Sequence, residues 1–173
     1  GSIYYHNDQG SQIGDLYAYM GASYYTNFMN KTKDGYDWVP ELALSDPVPV
    51  GELDANGQSA KWKFEIRQGL KYNTNSTKAD RAAFNNREVA LEDFLTPYKL
   101  MFNQANALYR GGEAANATGA SAIKGAKAYY DATKNAKKGI LTNEEADFSQ
   151  VGVKVYEEDG KWYFEYELGA PVT

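Results

Sequence analysis

The sequence predicts an α+β fold: a small antiparallel sheet with two or three helices packed on one face, ending in a C-terminal β-hairpin. Three observations predict it. Trp62, Phe64 and Ile66 alternate with Lys63, Glu65 and Arg67, the period-two signature of a strand with one buried and one wet face. Val151, Val153 and Val155 alternate on one late segment, and Trp162, Phe164, Tyr166 and Leu168 on the next. Glu158-Asp159-Gly160-Lys161 joins them, and Asp-Gly is a strong hairpin turn. Between these β segments Leu91, Phe94, Leu95, Tyr98, Met101 and Phe102 recur at i, i+3, i+4, i+7, i+10 and i+11, the stripe of an amphipathic helix.

Taken in order, Ile13 to Met29 reads as a helix, because Ile13, Leu16, Tyr17, Met20, Tyr24 and Phe28 fall near helical spacing, with Gly21 as a weak point. Asn30 to Gly35 is polar and reads as a turn. Trp38 to Leu44 is extended and broken by Pro40. Asp46 to Gly57 holds Pro47, Pro49, Gly51 and Asn56-Gly57, a loop that closes on a turn signal before the strand at Lys61–Arg67. Asn73 to Asn86 lacks periodicity and reads as an exposed insertion with a helical turn near Ala79–Phe84. The helix that follows starts near Leu91 and bends at Pro97; the alternative places a separate turn over Leu91–Leu95, with Thr96 as cap and Pro97 in the first position. Gly111 to Gly119 is small and reads as a linker. Ala122, Ala126, Tyr129, Thr133, Ala136 and Ile140 make a second apolar stripe stopped at Gly139. Trp62, Phe64 and Ile66 are expected beneath the Leu91–Phe102 helix.

The run Trp62-Lys63-Phe64-Glu65-Ile66-Arg67-Gln68-Gly69-Leu70-Lys71-Tyr72 also resembles a signature of bacterial extracellular solute-binding proteins of the oligopeptide-binding type. Four other segments are similar to that family in order: Gly35 with Pro40-Glu41-Leu42-Ala43, Glu92-Asp93-Phe94 with Tyr98-Lys99, Ile123-Lys124-Gly125-Ala126-Lys127-Ala128-Tyr129, and Val151-Gly152-Val153-Lys154-Val155. The likeness covers about residues 35–171. It departs at the longer 73–86 insert, at Asn85-Asn86 in place of Asp-Gly, at Ala90 in place of a capping Thr, and at Pro97.

The resemblance implies the substrate-binding component of an ABC importer, a non-enzymatic protein that encloses a peptide or other small solute by hinge closure and delivers it to a membrane permease. It implies an extracytoplasmic place, as a cell-surface lipoprotein or in the periplasm, and a monomer. On this reading Gly1-Ser2 is an expression-tag scar and residues 3–173 form one α+β subdomain of a larger two-lobed binding protein, buttressing the N-terminal lobe beside the cleft. One ligand contact carries over: Tyr109, which follows Asn106-Ala107-Leu108. The rival reading is a bacterial cell-surface interaction or adhesion module whose tyrosines meet a partner surface.

Composition narrows the chemistry. The chain has 173 residues, enough for one domain, with no cysteine and one histidine, His6. Cys/His zinc sites and Cys-His nucleophile pairs are therefore out of reach, and no catalytic residue, metal ligand or cofactor is expected. Gly111-Gly112 lacks the Gly-Lys-Ser/Thr of a phosphate loop. Net charge is −5, which disfavours nucleic acid. Lys124, Lys127, Lys134, Lys137 and Lys138 read as the solvated face of a helix. The acidic Glu157, Glu158 and Asp159 lack calcium-loop spacing and read as a solvated turn. Asn-x-Ser/Thr triplets at Asn30, Asn75 and Asn116 read as chance occurrences in loops. Tyrosine, at 15 residues, suits half-buried faces where the ring is covered and the hydroxyl stays wet.

Overall fold

The computed structural model describes residues 25–30, 35–72, 77–83 and 85–173, and for 25–39, 80, 81, 109 and 110 the main chain alone within those limits. The architecture is α+β. Strands β3 (Val48–Pro49), β4 (Ser59–Ile66), β6 (Lys161–Val172) and β5 (Val153–Glu158) lie side by side in that order, all neighbours antiparallel. Strands β1 (Tyr25–Asn30) and β2 (Gly35–Pro40) form a separate two-stranded sheet, paired from Tyr25↔Pro40 to Asn30↔Gly35.

The first hairpin corrects the expected Ile13–Met29 helix. Residues 13–24 lie outside the described residues, and 25–29 are strand. The spacing of Tyr24 and Phe28, i and i+4, satisfies a period of two as well as 3.6. The aromatic and β-branched residues around them favour a pleated partner, and 35–40 supplies one.

The central hairpin follows the alternation of its arms. Val153 faces Tyr166, Val155 faces Phe164 and Glu158 faces Lys161. Asp159 (φ 51°) and Gly160 (φ 75°) are both left-handed, the conformation of a two-residue type I′ turn. Across β4, Phe64 stacks on Phe164 with centroids 5.3 Å apart, and Ile66 is fully buried. Trp62 is only half-buried, which corrects its expected core place. It stands within the strand, one residue past the register shift between Ser59 and Lys61, where the sheet is irregular, and its indole N–H donates to the Ser59 carbonyl at 2.9 Å.

The helices pack on the Phe64–Phe164 face. A 3₁₀ turn over Leu91–Phe94 leads into helix α2 (Thr96–Phe102), with Pro97 in its first turn, where a missing N–H leaves no helical bond unmade. The expected single bent helix is thus two elements. Thr96 does not cap; its hydroxyl donates back to the Glu92 carbonyl, closing the turn. Ala90 offers no capping oxygen, but the Asp93 carboxylate accepts from the Ala90 N–H at 2.9 Å. Tyr98 packs on Phe164 at 5.5 Å, and Phe102 is fully buried. The insertion is closed at its base by a bridge between Lys71 and Glu88, and carries the short helix α1 (Ala79–Ala82) near its expected place.

Two expectations fail between residues 109 and 140. The Gly-rich stretch is not a linker: helix α3 (Tyr109–Ala115) runs through Gly111 and Gly112. A Cβ on Gly111 would collide with the Met101 carbonyl, so this glycine lets α3 lie against α2. Helix α4 (Ala126–Ala132) covers only part of the Ala122–Ile140 stripe. Gly125, left-handed at φ 75°, starts it, and its missing Cβ leaves room for the Gln150 carbonyl. Thr133 ends it, buried, donating to the Tyr129 carbonyl and accepting from the Gln104 N–H, both at 3.0 Å. Beyond it the chain is tied down by amides: Asn103 donates to the Lys137 and Gly139 carbonyls, and Asn106 to those of Leu100 and Gly139. Those bonds hold Ala136 and Ile140 in a loop, and Ile140 is half exposed.

Candidate functional site

Tyr109, the ligand contact taken from the resemblance, is the first residue of α3, and its side chain lies outside the described residues. Its main chain stands beside an open groove of about 500 Å³, lined by Ala107, Leu108, Gly112, Glu113, Asn116 and Tyr130. The groove exists because α3 and α4 meet through a glycine: the Tyr130 hydroxyl lies 2.9 Å from where a Gly112 Cβ would be. Ala107 is left-handed (φ 53°), closing a 3₁₀ turn over Gln104–Asn106, and this aims the chain into α3. The Asn116 amide folds back onto the Gly112 carbonyl at 2.7 Å. Leu108, Ala107 and the Tyr130 ring make the groove largely apolar.

A second recess, about 220 Å³, lies on the wet face of the sheet between Lys61, Lys124, Gly152, Lys154, Glu165 and Glu167. Its charges neutralise one another. Glu167 pairs with Lys124 at 2.6 Å and with Lys61 at 3.8 Å, and Lys154 pairs with Glu165 at 3.0 Å. Glu165 is almost covered and also accepts from the Tyr156 hydroxyl at 3.0 Å. Burial, and then that bond, push the Tyr156 hydroxyl well above its ordinary pKa. Main-chain bonds between Lys124 and Glu167, Gly152 and Lys124, and Glu167 and Gly152 fix the walls. With every cation partnered, the recess works as a clamp between the loop before α4 and the sheet.

The strand alternation contained this cluster, since Lys61, Lys154, Glu165 and Glu167 all fall on wet positions. Lys124 had no such signal, because it reaches Glu167 through the tertiary fold. The basic residues Lys124, Lys127 and Lys137 are exposed and pair with Glu167, Asp131 and Glu145. Among the described residues no cluster of three acidic or imidazole side chains is placed to hold a metal ion, and no helix is long and apolar enough to cross a membrane.

Compared with known proteins, the chain matches no family model, no curated protein and no solved structure.

Proposed function

We propose that this chain is a buttressing subdomain of the substrate-binding component of an ABC importer for oligopeptides, acting outside the cytoplasm, with the ligand enclosed elsewhere in a two-lobed protein and passed to a membrane permease. One observation carries the reading. The segments that resemble the oligopeptide-binding family meet in one core: Ala43, Phe64, Ile66, Phe94, Ala126, Tyr129, Val151 and Val153 belong to a single buried cluster. Residues shared for the sake of a fold belong there, and residues shared for a common chemistry would converge on a cleft. The groove beside Tyr109 is open and apolar, which suits a wall of a ligand site rather than an enclosure.

The test is native extraction of the protein that carries this chain from its own cells, followed by mass spectrometry of what it releases on denaturation. Short peptides of mixed sequence are the expected release. A protein that releases none, and takes up none on incubation with a peptide mixture, overturns the reading.

A further inference from the structure

We propose that two copies of this chain associate through the outer edge of β5, antiparallel, about a two-fold axis at Tyr156. This is independent of the transport reading and departs from the expectation of a monomer.

The two edges of the sheet are unequal. The β3 edge has 2 residues and is guarded by Pro47 and Pro49, which have no N–H to offer a partner strand. The β5 edge has 6 residues, Val-Lys-Val-Tyr-Glu-Glu, with neither proline nor glycine. Among the described residues β5 pairs along its length with β6 alone.

The phase of the hairpin says which groups face outward. Glu158 and Lys161 flank a two-residue turn, so Glu158, Tyr156 and Lys154 direct their main chain at β6. Val153, Val155 and Glu157 direct theirs away from it. The Val153 N–H turns back to the Val151 carbonyl, which leaves Val155 and Glu157 to present the edge. With Tyr156 opposite Tyr156 of a second copy, Val155 and Glu157 stand opposite each other and exchange both N–H···O=C bonds, twice over.

The side chains fit the same register. Lys154, Tyr156 and Glu158 share the wet face, so the axis sets Lys154 of each copy against Glu158 of the other, and opposite charges directly across strands attract. Edge strands kept apart by charge carry one sign; this one is self-complementary. In-chain pairing does not exhaust either group: Lys154 reaches Glu165 with 62% of its side chain exposed, and Glu158 reaches Lys63 with 55% exposed.

The experiment is sedimentation equilibrium of the 173-residue chain over a concentration series, at low and high salt. A dimer that grows with concentration and weakens with salt is expected. K154E and E158K should each abolish it, since each sets like charges across the axis. Mixed in equal amounts, the two variants should recover a dimer, because one all-acidic edge then meets one all-basic edge. Val155→Pro, which deletes an outward N–H, should also abolish it, with near-ultraviolet circular dichroism checking the fold. A monomeric mass throughout the series overturns the proposal. So does a wild-type dimer whose two charge variants stay monomeric when mixed.

Discussion

At the scale of the residue, burial separates two aromatics that the alternation treats alike. Phe64 is 5% exposed and stacked on Phe164, so Phe64→Ala should cost about 3–5 kcal/mol in chemical denaturation, the range for emptying an aromatic core site. Trp62 is half-buried with its N–H satisfied on its own strand, so Trp62→Ala should cost less, about 1–2 kcal/mol. Equal losses would place Trp62 in the core after all. Tyrosine protonation gives a second test. Burial raises the hydroxyl pKa of Tyr129, Tyr156 and Tyr166, and at Tyr156 the Glu165 carboxylate adds to it. The folded state therefore holds these protons more tightly than the unfolded chain, whose tyrosines titrate at about 10. Their contribution is complete below about pH 10 and is lost as pH rises through the folded values. The Tm should accordingly fall above about pH 10. Tyr156→Phe should lower the Tm at neutral pH and flatten that alkaline decline; an unchanged alkaline slope would mean that Tyr156 is not among the groups responsible.

At the scale of the element, the legible parts were those whose period is set by one buried face. Strands β4, β5 and β6 follow their alternation into the register observed, because a slip of one residue would turn Val153, Val155 and Phe164 to water. The Pro97 boundary is within reach of the sequence, since proline is accommodated in a first turn, but the choice depends on where Thr96 turns its hydroxyl, which here donates to the Glu92 carbonyl. The glycines misled. A run of small residues has the same composition in a linker as in a close helix contact, and only the neighbour tells them apart, here the Met101 carbonyl against Gly111. The groove beside Tyr109 was invisible for the same reason, being made by Gly112 meeting Tyr130 from another helix. A substitution pair checks this account. Ala normally favours a helix over Gly by about 1 kcal/mol. Gly111→Ala should instead destabilise by about 1–3 kcal/mol, because a backbone carbonyl cannot step aside. Gly112→Ala meets only the tip of the Tyr130 ring, which can swing, so its cost should be small. A stabilised Gly111→Ala protein, measured by urea denaturation, would restore the linker reading of 111–119.

At the scale of the whole molecule, packing and polar chemistry are kept apart. One face of the sheet is covered by α2 and the turn before it, and the other is crossed by ion pairs and by Tyr156 stacked on Tyr163 at 5.7 Å. Among the described residues, the recess on the wet face is lined by ion pairs that satisfy one another. Tight recognition of a small ligand needs most of its surface covered and several polar groups converging on it. The groove beside Tyr109 supplies an open wall of about 500 Å³. Association costs about 4–15 kcal/mol in lost freedom, and one aromatic contact on an open wall recovers only a small part of that. The chain by itself should therefore show no saturable heat when titrated calorimetrically with a mixed peptide library at near-millimolar concentration. Saturable micromolar binding that Tyr109→Ala abolishes, with the Tm unchanged, would make this segment a ligand site in its own right and end the buttress reading.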